Sequence, residues 1–353
     1  MSLSQAHPLV RGTTADAPLL RAYRGERPEQ LPVWFMRQAG RSLPEYRAAR
    51  EGTAMLDACL TPELAAEITL QPVRRHGVDA AILFSDIVIP LKLAGIEVEI
   101  QPGVGPVMGA PVRTAADVAA LPELDPAALA PVRETVGRCV EELGATPLIG
   151  FAGAPFTVAS YLVEGRPSRD HLTTRALLHA DPTVWHDLLA WVARQTVAFL
   201  TAQVEAGASA LQLFDSWAGT LPARDYRAGA LPHSRAVLEG VADLGVPRVH
   251  FGTRTFQILT DLKDAGADVV GIDDRTSMAD AVAVLGPDVV VQGNIDPALL
   301  AAPWEVLERH VRQVIEDARG ARAHVLNLGH GVPPTTDPDV LTRIVELAHD
   351  HVD

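Results

Sequence analysis

The sequence predicts an α/β fold closed into a single-domain (β/α)8 TIM barrel. Three observations carry this: eight short and continuously apolar runs, helix-like stretches between them, and polar residues at the downstream end of the runs. Unbroken rather than alternating hydrophobicity marks strands buried on both faces, as in a parallel sheet covered by helices. Eight such runs alternating with helices favour a closed barrel over an open sheet.

The runs are, in order, PVWFMRQ (32–38), AAILFSD (80–86), PLIGFAG (147–153) and ALQLFDS (210–216), then RVHFGT (248–253), VVGIDD (269–274), VVVQGN (289–294) and HVLNLGH (324–330). Helical candidates between them include TPELAAEITLQPVRRHG, DPTVWHDLLAWVARQTVAFLTAQVEAG, SRAVLEGVADLG, TFQILTDLKDAG, SMADAVAVLG and PWEVLERHVRQVIEDARG. Several end in glycine, the residue that most easily takes the left-handed conformation after a last helical turn. Residues 1–30 read as an N-terminal extension. Residues 88–125, rich in proline and glycine with paired β-like pieces, read as an excursion from the barrel rather than a second domain.

Composition narrows the function. With 48% hydrophobic and 21% charged residues, the 353-residue chain can bury a large core. A formal charge of -14 without a basic run argues against nucleic acid and against an anionic membrane surface as partners. No stretch approaches a membrane span, and the first 30 residues lack the apolar core of a secretory signal. Two isolated cysteines, Cys59 and Cys139, give no disulfide framework, so a cytoplasmic enzyme is expected.

In a barrel the active site forms at the C-terminal ends of the strands, which makes the run ends the candidates. Asp273 and Asp274 precede Ser277 and Asp280 and read as part of a helix entry, as do Asn294 and Asp296 ahead of Pro297. Thr253 and Arg254 select no reaction. Asp86 follows a buried strand with no cation before Lys92, so it is either a loop cap or a desolvated carboxylate in need of donors. Ser216 has a hydroxyl but no GxSxG context, and His330 stands between two glycines. In Gly150–Gly165 a strand runs into a helix whose first turn could offer N–H groups to an anion, and Tyr161 follows two turns later. There is no GxGxxG after a strand, no Walker loop, no HExxH and no Cys/His zinc pattern, which favours a reaction without metal or organic cofactor. The stretch RQAGRSLPEYR (37–47) concentrates three arginines in an acidic chain.

PVWFMRQAGRSLPEYR and GFAGAPFTVASYLVEG together resemble the two signature segments of the uroporphyrinogen decarboxylase family. FSDI, LFDSWAG and NLGHGVPP resemble its remaining active-site segments, in the family's order and over essentially the whole chain. The resemblance implies a cytoplasmic homodimer without metal or cofactor that acts in heme and other tetrapyrrole biosynthesis. Its reaction converts the four acetate side chains of uroporphyrinogen III to methyl groups, giving coproporphyrinogen III and CO2. It implies that Arg37, Gln38, Ala39, Gly40 and Arg41 bind substrate, with Arg50 reaching a further carboxylate. It further implies that Asp86 accepts the pyrrole N–H groups, that Tyr161 orients Asp86 and the reacting arm, and that Ser216 and His330 contact substrate carboxylates. Asp86, Arg37 and Tyr161 are the implied catalytic residues.

Two other readings compete. Zinc-dependent methyltransferases of the same superfamily need Cys and His ligands at the mouth, and neither Cys59 nor Cys139 lies at a candidate strand end. A non-enzymatic tetrapyrrole binder would need the arginines, but not Asp86 and Tyr161 together.

Overall fold

A computed structural model of the chain describes residues 3–351. Seven parallel strands follow one another around the sheet: β1 (Ala81–Ile82), β4 (Leu148–Gly153), β5 (Ala210–Asp215), β6 (Arg248–Gly252), β7 (Val269–Gly271), β8 (Val290–Gln292) and β9 (Ala323–Val325). β2 (Val98–Gln101) and β3 (Gly105–Met108) form a separate antiparallel hairpin. Strands β4, β7 and β8 are buried along their whole length, as their unbroken apolar runs require.

Helices cover the outside. Pro62–His76 ends at Gly77 with φ of 66°, and Pro182–Ala206 begins at Asp181, whose carboxylate accepts the Val184 N–H. Pro338–His349 starts in the same way on Asp337. Proline in the first turn suits these helices because the N–H it lacks has no intrahelical partner there.

The first run, at 32–38, differs from expectation. It makes one parallel bridge, Val33 to Leu326, instead of a full ladder. Pro32 has no N–H to give, and the following donors go largely to side chains. Val33 N–H donates to Asp79 Oδ2 at 2.8 Å, Phe35 N–H to Gln38 Oε1 at 3.0 Å and Met36 N–H to Asn327 Oδ1 at 2.9 Å. Backbone bonds complete the join, from Leu326 N to the Pro32 carbonyl at 2.9 Å and from Asp79 N to the Val33 carbonyl at 2.8 Å. The segment is thus a side-chain-stitched stave that closes the ring between β9 and β1.

Beneath it, Tyr23 of the helix Pro18–Tyr23 donates to Gln292 Oε1 at 2.5 Å, and the Trp34 indole donates to the same oxygen at 3.1 Å. Gln292 in turn donates to Gln212 Oε1 at 3.0 Å. The N-terminal helix is therefore bonded into the barrel interior. After β1 the chain turns through a short helix, Ile89–Leu93, into the hairpin, which returns to the barrel where Met108 N–H meets the Gly165 carbonyl at 2.8 Å.

Asp79 also accepts from Gln30 at 2.8 Å and lies 2.8 Å from His349 Nε2, so one nearly buried carboxylate clamps three segments. Asp79→Ala is expected to cost about 1–3 kcal/mol of stability, seen as a lower urea midpoint at unchanged slope. An unaltered midpoint would show that closure does not depend on this clamp.

Candidate active site

Arg37 ends the closing stave in a conformation that ordinarily favours glycine. Gln38 N–H donates to the Phe35 carbonyl at 3.0 Å, and Arg37 sits inside that turn with φ of 60°. Holding a non-glycine residue there costs roughly 1–3 kcal/mol and requires surroundings that over-determine it. Gln38 supplies them. Its side chain is fully buried, accepting from Phe35 N–H and donating to the Ala80 carbonyl at 3.0 Å, so it holds the turn instead of facing the mouth. Ala39 and Gly40 lead out of the turn, and a Cβ on Gly40 would stand 2.8 Å from the Arg37 carbonyl.

The three arginines of 37–47 divide by role. Arg47 fastens the loop, donating to the Arg41 carbonyl at 2.6 Å and to the Ser42 carbonyl at 3.2 Å. The side chains of Arg37 and Arg41 are exposed and make no hydrogen bond or ion pair among the described residues. Arg50, expected to reach a carboxylate, is engaged within its own loop. It donates to the Tyr46 hydroxyl, Met55 Sδ and the Thr53 carbonyl, each at 2.9 Å.

Asp86 lies in the turn after β1, and its Oδ1 accepts the Val88 N–H at 3.0 Å. Burial pushes its pKa up, while that bond and the Arg37 charge oppose the shift. Both readings from the sequence therefore meet in one residue, a local cap that is also a desolvated carboxylate. Tyr161, on the helix Pro155–Glu164, is buried. Burial and then the Asp86 charge raise its phenol pKa, so it stays a proton donor at neutral pH. Its ring meets Trp217 edge-on at 6.2 Å.

A cavity of about 750 Å³ opens at the strand ends, lined by Arg37, Ser216, Trp217, Arg254, Asp274 and His330 among others. Asp86 and Tyr161 are not part of its wall, but each is coupled to residues that are: Asp86 to Arg37, and Tyr161 to Trp217. Desolvation, then the Arg37 charge, lower the imidazole pKa of His330, leaving it neutral near pH 7. The Ser216–Trp217 corner is fixed from below. Trp217 N–H donates to Thr157 Oγ1 at 3.2 Å, Thr157 donates to buried Asp215 at 2.8 Å, and Thr253 donates to the Ser216 carbonyl at 2.7 Å.

That chain of bonds changes one expectation. The first turn of Pro155–Glu164 is fully buried, and Thr157 there meets the protein's own carboxylate, so the helix start is not presented to a ligand. The helix-entry expectation is met at Ser277 and Asp296, whereas Asp273 and Asn294 brace neighbouring backbone instead of capping a helix. Asp273 accepts from Arg254 N–H at 2.6 Å and from Thr276, and Asn294 donates to the Asp273 and Thr276 carbonyls. Ser277 caps Met278–Leu285, and Asp296 caps the short turn at Pro297.

Cys59 is nearer to the site than its sequence position suggested. Burial first and the Asp86 charge second push its thiol pKa up. Cys139 is buried in the helix Ala130–Leu143 with its pKa pushed up to about 12. Among the described residues no group of three or more His, Cys, Asp or Glu could hold a metal ion. Sequence reasoning missed the segment Ser168–Asp170, which borders the cavity from a loop with no periodic signal, and left Arg254 without a role.

The sequence model described as uroporphyrinogen decarboxylase (URO-D) matches residues 14–351. The chain belongs to the uroporphyrinogen decarboxylase family. The uroporphyrinogen decarboxylase of Arthrobacter sp. (strain FB24) is 64% identical over 338 residues, covering 96% of this chain and 98% of the relative. That of Saccharopolyspora erythraea is 60% identical, covering 96% of each. Among solved structures, a methyltransferase from Methanosarcina mazei superposes with a TM-score of 0.80 at 20% identity, over 95% of this chain and 98% of that one. At that identity the likeness to the methyltransferase is one of fold alone.

In this family member the Arg37 side chain passes directly over Gly331. A Cβ there would overlap Arg37 Cδ and stand 2.8 Å from its Cγ. Gly331→Ala is expected to leave the melting temperature within about 2 °C, because the clash falls on an exposed side chain. It should lower kcat/KM roughly 10- to 100-fold by moving the guanidinium. Full activity in the variant would mean that Arg37 does not act from this position.

Proposed function

We propose that the chain removes the acetate carboxyl groups of uroporphyrinogen III one after another without a cofactor, giving coproporphyrinogen III, with Asp86, Arg37 and Tyr161 as its catalytic residues. Decarboxylation of uroporphyrinogen in tetrapyrrole biosynthesis follows from family membership across nearly the full length at 57–64% identity. The observation that carries the residue assignment is the electrostatic convergence of Asp86, Arg37 and Tyr161 beside one cavity.

Loss of CO2 from an acetate arm leaves an electron pair that needs an acceptor. Protonation of the pyrrole on carbon supplies one: the C–CO2 bond breaks, its electrons move into the ring, and CO2 departs. A second proton then adds to the exocyclic carbon and the ring proton leaves, so each methyl group formed consumes one proton net. Asp86 accepts the pyrrole N–H groups and its anion balances the ring cation. Tyr161 orients the arm. Arg37, Arg41, Ser216 and neutral His330 bind carboxylates, guanidinium pairing with them in a planar fork. Ala39 and Gly40 let the macrocycle approach closely, and Gln38 contributes by holding the turn of Arg37. Arg37 serves as a clamp and field source, and the proton comes from bound water or from a substrate carboxyl polarised by Arg37.

A cytoplasmic homodimer belongs to the same proposal. Among the described residues no helix is long and apolar enough to cross a membrane. Leu172 and Phe256, 67% and 47% exposed, lie two residues on from the cavity-lining Asp170 and Arg254 and are candidates for burial between subunits.

Anaerobic incubation of chelator-treated protein with uroporphyrinogen III tests the reading. Products with seven, six, five and four carboxyls should appear in turn, and substrate bound without CO2 release would leave only a tetrapyrrole binder. Asp86→Asn should keep the fold and lower kcat roughly 100-fold or more, since a neutral amide cannot balance the cation. Because burial raises the Asp86 pKa, the active anion is complete only above the usual carboxylate range. The acid limb of kcat/KM should therefore lie above about pH 4, and a limb at or below that range would remove Asp86 from the mechanism.

A further inference from the structure

Three non-glycine residues among those described have positive φ: Arg37 (60°), His171 (49°) and Arg254 (58°). All three gather at one place. Arg37 and Arg254 line the large cavity, and the His171 ring packs 4.9 Å from that of Trp217, which also lines it. A side chain held in this conformation is strained, and such strain collects where position matters more than stability.

Arg254 is held there by built contacts. The Asp273 carboxylate, itself buried, takes the Arg254 N–H at 2.6 Å, and Thr276 Oγ1 holds the other Asp273 oxygen at 3.0 Å. On the other side Gly219 lets its loop press against the Thr253 and Arg254 carbonyls so closely that any Cβ would overlap them. The backbone is fixed, yet the guanidinium is exposed and makes no hydrogen bond or ion pair among the described residues. Most arginines of the chain are otherwise engaged, for example Arg227 with Asp261, Arg248 with Asp268 and Arg27 with two carbonyls. The acids around Arg254 do not take it either. Asp273 and Asp296 are committed to backbone N–H groups, and Asp274 and Asp170 form no bond with it.

The ring order places this guanidinium. Counting from the closing stave through β1, β4 and β5, β6 is the fourth strand on, opposite Arg37 in a ring of eight. Asp86, Tyr161 and His330 follow β1, β4 and β9 on Arg37's side of the ring, while Ser216, after β5, adjoins the Arg254 strand. A uroporphyrinogen carries carboxylates around its whole rim, and those far from the reacting arm face the opposite wall.

We infer that Arg254 is a further substrate-binding residue, pairing with a rim carboxylate of the tetrapyrrole on the side of the cavity opposite Arg37. This rests on the reading of the cavity as the uroporphyrinogen site. The carboxylate belongs to a propionate, which persists through the reaction, or to an acetate, which does not.

Arg254→Gly gives a clean test, because glycine removes the guanidinium while fitting the positive φ better than arginine does. The variant should melt no lower than wild type and show KM for the eight-carboxyl substrate raised ~10-fold, the loss expected for a charged hydrogen bond, with kcat changed less than about twofold. Arg254→Lys should restore part of the affinity. Inhibition by the four-carboxyl product then separates the two sources. Product binding weakened as much as substrate binding assigns a propionate, and product binding unchanged assigns an acetate. An unaltered KM in Arg254→Gly, or a fall in kcat and melting temperature at constant KM, overturns the inference. Wild-type protein in the same assay reports independently on the decarboxylase reading.

Discussion

Everything at the mouth depends on how the barrel is closed. The stave at 32–37 starts with a proline and makes one bridge, so backbone pairing alone cannot hold it. Side chains of Asp79, Gln38 and Asn327 take the N–H groups of Val33, Phe35 and Met36 instead. A backbone ladder would have run on regularly past Arg37, whereas a stitched stave can stop and turn there, which allows a positive φ at its last residue. The irregular closure and the placement of Arg37 are therefore one feature.

The second organising element is the field of Arg37. Its charge acts on Asp86, Tyr161 and His330 at once, favouring the carboxylate anion and the neutral imidazole. Burial works against ionising Asp86, so the site holds an anion poised between desolvation and a fixed cation. Such an anion gains most from a ligand that brings N–H donors and developing positive charge. The net charge of -14 opposes approach of a polyanion, and the Arg37 and Arg254 guanidinium groups, without an ion pair among the described residues, work against that repulsion at the cavity.

Much of this was legible in the sequence. Strands buried on both faces leave unbroken apolar runs, so the order of the barrel could be read directly. Strand lengths could not. The run AAILFSD pairs only at Ala81–Ile82, because further on the Phe84 N–H goes to the Thr69 hydroxyl and Asp86 turns back to Val88. The two signature segments located Arg37 and Tyr161, and the capping roles of Ser277 and Asp296 were visible from spacing. The burial of Gln38 and the engagement of Arg50 were not, since both follow from loop folding without periodicity. Arg254 could be placed at a strand end but not given a role, for a related reason: its distinction is a backbone angle and an absent partner among the described residues, neither of which is written in residue type.

The bonds that join the N-terminal segments to β8 and the residues after β9 have a consequence for how the chain is made. Tyr23 bonds to Gln292, and Met36 bonds to Asn327 across 291 residues of sequence. The first segments to leave the ribosome thus wait for nearly the last before either can be satisfied. Loops of that length close slowly relative to local helices and hairpins. The nascent chain can brace the Arg37 turn early, through Gln38 and the Ala80 carbonyl, but Tyr23 and the Met36 N–H meet their partners only near the end of synthesis, so the ring around the site closes late.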